Sequence, residues 1–93
     1  MIQWYVFEFL WTDESEAHIV RHFGITPEEV HEAAQRPYHT YKGREETTIL
    51  LGQTYAGRYL FIVLAEAMDG RSYVVTARLM EDAEKREYRR KAR

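Results

Sequence analysis

From Ile2 to Trp11 the chain is aromatic and β-branched, with Ile2, Trp4, Val6 and Leu10 on one alternating face and Tyr5, Phe7, Phe9 and Trp11 on the other. Side chains of a strand point alternately to its two sides, so two apolar faces predict a strand covered on both. Internal helices are the usual cover; a partner protein is the alternative. The period then changes. Asp13 followed by Glu16 reads as a capped helix start, Ile19, Val20 and Phe23 form an apolar face, and Gly24 ends the helix. A second helix starts where Thr26 caps, Pro27 takes the first position, Glu29 completes a capping box and Ile25 can staple onto Val30. Pro37 stops it, because proline restricts the residue before it and cannot continue the hydrogen-bond ladder.

Tyr38–Glu46 reads as a polar connection with room for a short strand. Alternation returns in three runs, Thr47–Tyr55, Arg58–Ala67 and Arg71–Leu79, separated by a turn region ending at Gly57 and by Asp69-Gly70. These predict a meander of three antiparallel strands. Period two puts Tyr73, Val75, Ala77 and Leu79 on one face of the last strand, and Val74, Thr76 and Arg78 on the other. The final helix, Glu81–Arg93, has almost no apolar stripe: Ala83, Tyr88 and Ala92 stand alone, and Glu81/Lys85 and Glu87/Lys91 supply i,i+4 pairs. The order β-α-α, meander, α predicts an α+β fold in one domain spanning residues 1–93.

With 45% hydrophobic and 14% aromatic residues, such a domain can bury one core without disulfides or a structural metal. The lack of Cys excludes thiol catalysis and Cys-based zinc sites and fits a cytoplasmic address. No basic leader and no membrane-length apolar run is visible, so no membrane association is expected. The net charge of −2 conceals a gradient. Residues 1–50 hold nine acids against four bases, whereas residues 71–93 hold eight bases against four acids. The C-terminal end can therefore meet a polyanion, although a solvated charged tail would look the same.

Several enzyme classes lack their parts: there is no phosphate-binding glycine loop, no nucleophile-elbow serine and no His-Glu-x-x-His helix. His18 and His22, four apart, could share a metal, but no third ligand is spaced to join them, so no metal or other cofactor is expected. Gly57-Arg58 opens one strand and Ala77-Arg78 closes its neighbour. Antiparallel pairing brings those ends together, so Arg58 and Arg78 can meet at a phosphate, their relative faces depending on register. Solvated edge positions, or salt bridges to Glu45 and Glu46, are the equal alternative.

The run Ser72-Tyr73-Val74-Val75-Thr76-Ala77-Arg78-Leu79-Met80, followed by Glu84-Lys85-Arg86-Glu87-Tyr88, resembles the end of BrnT-family toxins, where a strand closing in Ser/Thr-Ala-Arg precedes a helix with a Glu-Arg-x-x-Tyr-like segment. Upstream, Trp11 with Asp13, Arg21-His22-Phe23-Gly24-Ile25, and Glu29-Val30 are similar to that family's Trp-Asp, Lys-His-Gly and second-helix segments, in the same order. The resemblance implies a RelE-like ribonuclease neutralised by a DNA-binding antitoxin, for which a ribbon-helix-helix repressor is one type; homo-oligomerisation is left open. It implies metal-free cleavage by attack of a ribose 2′-hydroxyl on the neighbouring phosphate. Arg58 and Arg78 would stabilise charge, Tyr88 would transfer a proton or stack on a base, and Lys85 and Arg86 would hold phosphate. Glu84 is a weaker base candidate and His22 a remote one. Anchoring the polar helix onto the sheet is the equal alternative for Tyr88. The alternative function is a non-catalytic interaction module of the same fold, which the acidic first half favours.

Overall fold

The computed structural model describes residues 9–66, 68 and 70–93. Most of the expected strand Ile2–Trp11, together with Ala67 and Asp69, lies outside the described residues. Its final part, β1 (Phe9–Leu10), pairs in parallel with the last strand, Phe9 opposite Ser72 and Leu10 opposite Tyr73. Two helices follow, α1 (Asp13–Phe23) and α2 (Pro27–Ala33), then β2 (His39–Lys42), β3 (Thr48–Gln53), β4 (Tyr59–Glu66), β5 (Ser72–Leu79) and α3 (Asp82–Lys91). The sheet runs β1-β5-β4-β3-β2, antiparallel except at β1–β5. The fold is thus α+β, and the meander has four strands rather than three, because part of the polar connection pairs with β3.

The starts of α1 and α2 are held by reciprocal bonds between the cap and the third residue. At α2 these are the expected ones: Glu29 N donates to Thr26 Oγ1 at 3.2 Å and Thr26 N to Glu29 Oε1 at 3.1 Å. At α1 the cap is Thr12, one residue earlier than expected, and Ser15 takes the place of Glu16. Ser15 N donates to Thr12 Oγ1 at 3.1 Å and Thr12 N to Ser15 Oγ at 3.0 Å. Gly24 closes α1 at φ 63°, the left-handed conformation that glycine adopts without a Cβ penalty. α2 ends at Ala33, short of Pro37.

The helices lie on opposite faces of the sheet. Ile19, Ile25, Val30 and Ala33 from α1, α2 and their junction pack with Leu50, Leu60, Ile62, Leu64, Val74 and Ala77. The other face carries Ile49, Leu51, Tyr59, Phe61 and Val63 beneath Tyr88 of α3. Strict alternation would separate Val74 from Ala77. The register shifts, however: Val63 faces Thr76 while Leu64 faces Val74, leaving Val75 as an extra residue. This bulge turns Val74 and Ala77 to the same core, correcting the period-two assignment.

Two glycine and turn positions carry local constraints. A Cβ on Gly52 would run into the carbonyl oxygen of Ala33, so α2 seats on β3 only because that side chain is absent. The β2–β3 turn places Glu45 at φ 52° and Glu46 at φ 64°, closed by Thr47 N donating to Arg44 O at 3.0 Å. Two consecutive side chains in left-handed backbone replace the Asn-Gly pair such a turn favours.

Gly52→Ala should lower unfolding free energy by about 3 kcal/mol in urea titration, since overpacking against backbone cannot relax through a rotamer. Glu45→Asn/Glu46→Gly should raise it by about 1–2 kcal/mol in the same measurement, by relieving the left-handed turn.

Candidate functional site between β2 and α3

α3 buries one side chain, Tyr88, and is otherwise held by polar ties. At its start Glu84 accepts from the backbone N of Glu81 at 2.8 Å. The same carboxylate takes a two-pronged bond from Arg78, Nη1 to Oε1 and Nη2 to Oε2, both at 2.8 Å. The Arg78 guanidinium lies 3.8 Å above the centroid of the Phe61 ring and also donates to Leu79 O at 3.0 Å. With side-chain exposures of 31% and 16%, the pair is only partly screened by solvent. The hydrogen bond from Arg78 holds the Glu84 carboxyl below its ordinary range against the opposing effect of burial, and Glu84 in turn raises Arg78.

Beside this pair runs a groove of about 480 Å³, floored by Ile49, Phe61 and Val63, walled by Tyr41 and Glu84, and rimmed by Arg44. Burial pushes the Tyr41 phenol above its ordinary value, with Glu84 and Glu87 adding to the effect. Tyr41 therefore stays protonated through the neutral range and is a donor. Two residues earlier on the same strand, His39 sets its ring centroid 5.8 Å from that of Tyr41 and its Nε2 3.8 Å from Glu87. A guanidinium, a carboxylate and a protonated phenol beside an aromatic floor can bind an anion, exchange a proton and stack against a flat ring.

The residues singled out in the sequence are distributed differently from expectation. Arg58 and Arg78 do not meet. Arg58 lies on the α1–α2 face, where Nη1 donates to Glu29 Oε2 at 2.9 Å and to Gly24 O at 3.2 Å. Arg78 lies on the α3 face over Phe61. The register places Arg78 opposite Phe61, so arginines at even positions of the two adjacent ends emerge on opposite sides. Neither pairs with Glu45 or Glu46; their carboxylates are Glu29 and Glu84. Tyr88 is 6% exposed, stacks edge-on to Tyr59 at 5.8 Å and donates its hydroxyl to Pro37 O at 3.2 Å, which is the anchoring arrangement. Lys85 lies 5.7 Å over the Tyr59 ring, and Arg86 is exposed.

His18 and His22 face each other on α1 with ring centroids 4.8 Å apart, on a helix that packs on the sheet face opposite Arg78. Among the described residues no group of three metal-binding side chains forms. Likewise, no helix among them is long and apolar enough to cross a membrane. Tyr41 and His39 were missed as site residues, though their i,i+2 spacing in a segment with room for a strand was a usable signal. No protein-family model and no curated protein matches the sequence.

The pair makes a pH-dependent contribution. Because the Glu84 carboxyl titrates lower when folded than unfolded, its contribution is complete above the ordinary carboxylate value and is lost as pH falls through the lower folded value. Glu84→Gln should cost about 1–2 kcal/mol at neutral pH by urea denaturation, and the gap to the parent protein should close as the pH falls below the ordinary carboxylate range.

Proposed function

We propose that the chain is a BrnT/RelE-like toxin that cleaves RNA in the groove between β2 and α3 and is neutralised by a DNA-binding antitoxin. The observation that carries this reading is that Glu84 and a protonated Tyr41 line one groove with Phe61 in its floor, and that Arg78 is bonded to that Glu84 and stacked on that Phe61. The sequence resemblance supplies the toxin class.

In the reaction the ribose 2′-oxygen attacks the adjacent phosphorus, a base takes the 2′-proton, the bond from phosphorus to the 5′-oxygen breaks, and an acid protonates that oxygen. The products are a 2′,3′-cyclic phosphate and a free 5′-hydroxyl. Phosphate and Glu84 compete for the same guanidinium fork. Substrate binding thus exchanges one anion for another, and the released Glu84 regains the basicity that Arg78 suppressed. Glu84 is then the proton acceptor, Tyr41 the donor to the leaving oxygen, and Arg78 the stabiliser of charge on the five-coordinate phosphorus. The part of Phe61 that lines the groove, with Ile49 and Val63, gives a base an apolar contact, while its ring face carries Arg78. Arg58 and Tyr88 act at a distance, the first by tying the β3–β4 turn to α2, the second by seating α3.

A second reading has one observation in its favour. Arg58 and Arg78 are each neutralised by a carboxylate, which suits a non-catalytic interaction module of the same fold.

Incubation of the purified protein with RNA in chelator separates the two. Cleavage leaving 2′,3′-cyclic phosphate ends is expected, abolished in Arg78→Ala and slowed about 100-fold in Tyr41→Phe. Equal cleavage by the parent protein and Arg78→Ala would sink the assignment. Expression tolerated by cells without any antitoxin would favour the module.

A further inference from the structure

We infer that a second groove, between the α2–β2 connection and the C-terminal end of α3, is a clamp for the sugar-phosphate backbone of a single nucleic-acid strand. The clamp rests on the nuclease reading for its ligand being RNA. The groove measures about 460 Å³ and is lined by Arg36, Arg90, Lys91 and Arg93 together with Tyr38 and His39. No Asp or Glu side chain lines it. Lys91 meets Glu87 at 3.4 Å, but among the described residues no carboxylate lies within ion-pair distance of Arg36, Arg90 or Arg93. Those three arginines are therefore unlike Arg58 and Arg78, whose charge is already matched. They present positive charge that phosphate can take without displacing a protein carboxylate.

The groove is built by backbone rather than by chance proximity of a tail. Tyr38 N donates to Arg93 O at 3.2 Å, and Arg93 N donates back to Tyr38 O at 3.1 Å. This two-bond bridge fixes the arginine-bearing end of α3 beside the start of β2. The Tyr88 hydroxyl bonded to Pro37 O pins the same connection from within. Arg36 lies 5.5 Å over the Tyr38 ring, which holds its guanidinium at the groove beside the cations of α3. The last turn of a helix is the negative end of its dipole, an unfavourable place for phosphate. Arg90, Lys91 and Arg93 outweigh it there with full charges.

Position relative to the cleavage groove identifies the purpose. His39 lines the basic groove, whereas Tyr41, two residues on and on the same face of β2, lines the other. Their ring centroids are 5.8 Å apart, so the two grooves adjoin along one strand. A strand held in the basic groove continues towards Arg78, and the clamp supplies affinity without reading bases.

The test uses a fluorescent single-stranded 2′-deoxy oligonucleotide, which has no attacking hydroxyl, with binding followed by anisotropy across a salt series. Arg90→Ala/Arg93→Ala should bind about tenfold more weakly at low salt, and its slope of log affinity against log salt should be shallower by about 1.4, the value for two lost phosphate contacts on a single strand. Arg90→Lys/Arg93→Lys should keep the parent slope. An unchanged slope in the alanine variant, with its circular dichroism intact, overturns the clamp. So does absence of oligonucleotide binding by the parent protein. An oligoglutamate peptide bound as tightly and with the same dependence on Arg90 and Arg93 overturns the nucleic-acid assignment. Failure of the nuclease reading looks different: the oligonucleotide binds with the arginine-dependent slope, and RNA is bound but not cut.

Discussion

A helix with one buried side chain cannot be held by its own apolar face, and the α3 side of the molecule is organised around that constraint. Tyr88 supplies a single apolar anchor, worth on the order of 2 kcal/mol of transfer free energy. The remaining hold is polar: the Arg78–Glu84 fork at the first turn, Lys85 and Arg89 over the Tyr59 ring and Glu87 near His39 along the helix, and the Tyr38–Arg93 backbone bridge after the last turn. The arginine fork is effective because it sits on Phe61, which shields one side of the guanidinium from water and strengthens the attraction to Glu84. These ties leave open space near each end of the helix, and the two grooves along β2 occupy it.

The same constraint governs which arginines are available. Arg58 and Arg78 occupy strand ends, and each stitches the sheet to a neighbouring helix through a carboxylate. Glu29 illustrates how tightly such a partner is used, since it accepts from the Thr26 backbone as well as from Arg58. An arginine committed in this way offers an incoming anion only an exchange. The exposed arginines at the end of α3 offer attraction directly. One kind of arginine is committed to a carboxylate and the other is open to an anion, and the two kinds differ by their partners rather than by their exposure alone.

Local signals survived translation into structure where the interaction is itself local. The α2 start was legible because Thr26, Pro27 and Glu29 act within a single turn, and the Gly24 stop because a left-handed cap needs no distant partner. At α1 the reading slipped by one residue. Thr12 and Asp13 are both cap types, and Ser15 closes the reciprocal bond that glutamate usually makes. The faces of β5 were not legible, because one extra residue at Val75 breaks the period of two and nothing in the run Tyr73–Leu79 marks it. The separation of Arg58 from Arg78 depends on inter-strand register, and their pairing with Glu29 and Glu84 on contacts 29 and 6 residues apart. Spacing along one chain does not encode the former. The latter required knowing on which face each helix packs.

The acidic sum of the chain weighs little against polyanion binding once charges are assigned to faces. Glu28 and Glu29 open α2, and Asp13, Glu14 and Glu16 open α1, both across the sheet from α3. A helix layer packed on a sheet stands about 10 Å from it, so charges on opposite outer layers are separated by more than the Debye length of about 8 Å at physiological ionic strength. Solvent screening therefore uncouples the two fields at the surface. A phosphate near Arg90 and Arg93 responds to those arginines, to Lys91 and to the neighbouring Glu87, and hardly to the far helices. Net charge describes how the whole molecule moves in a field; the charge within one Debye length decides what docks on a face.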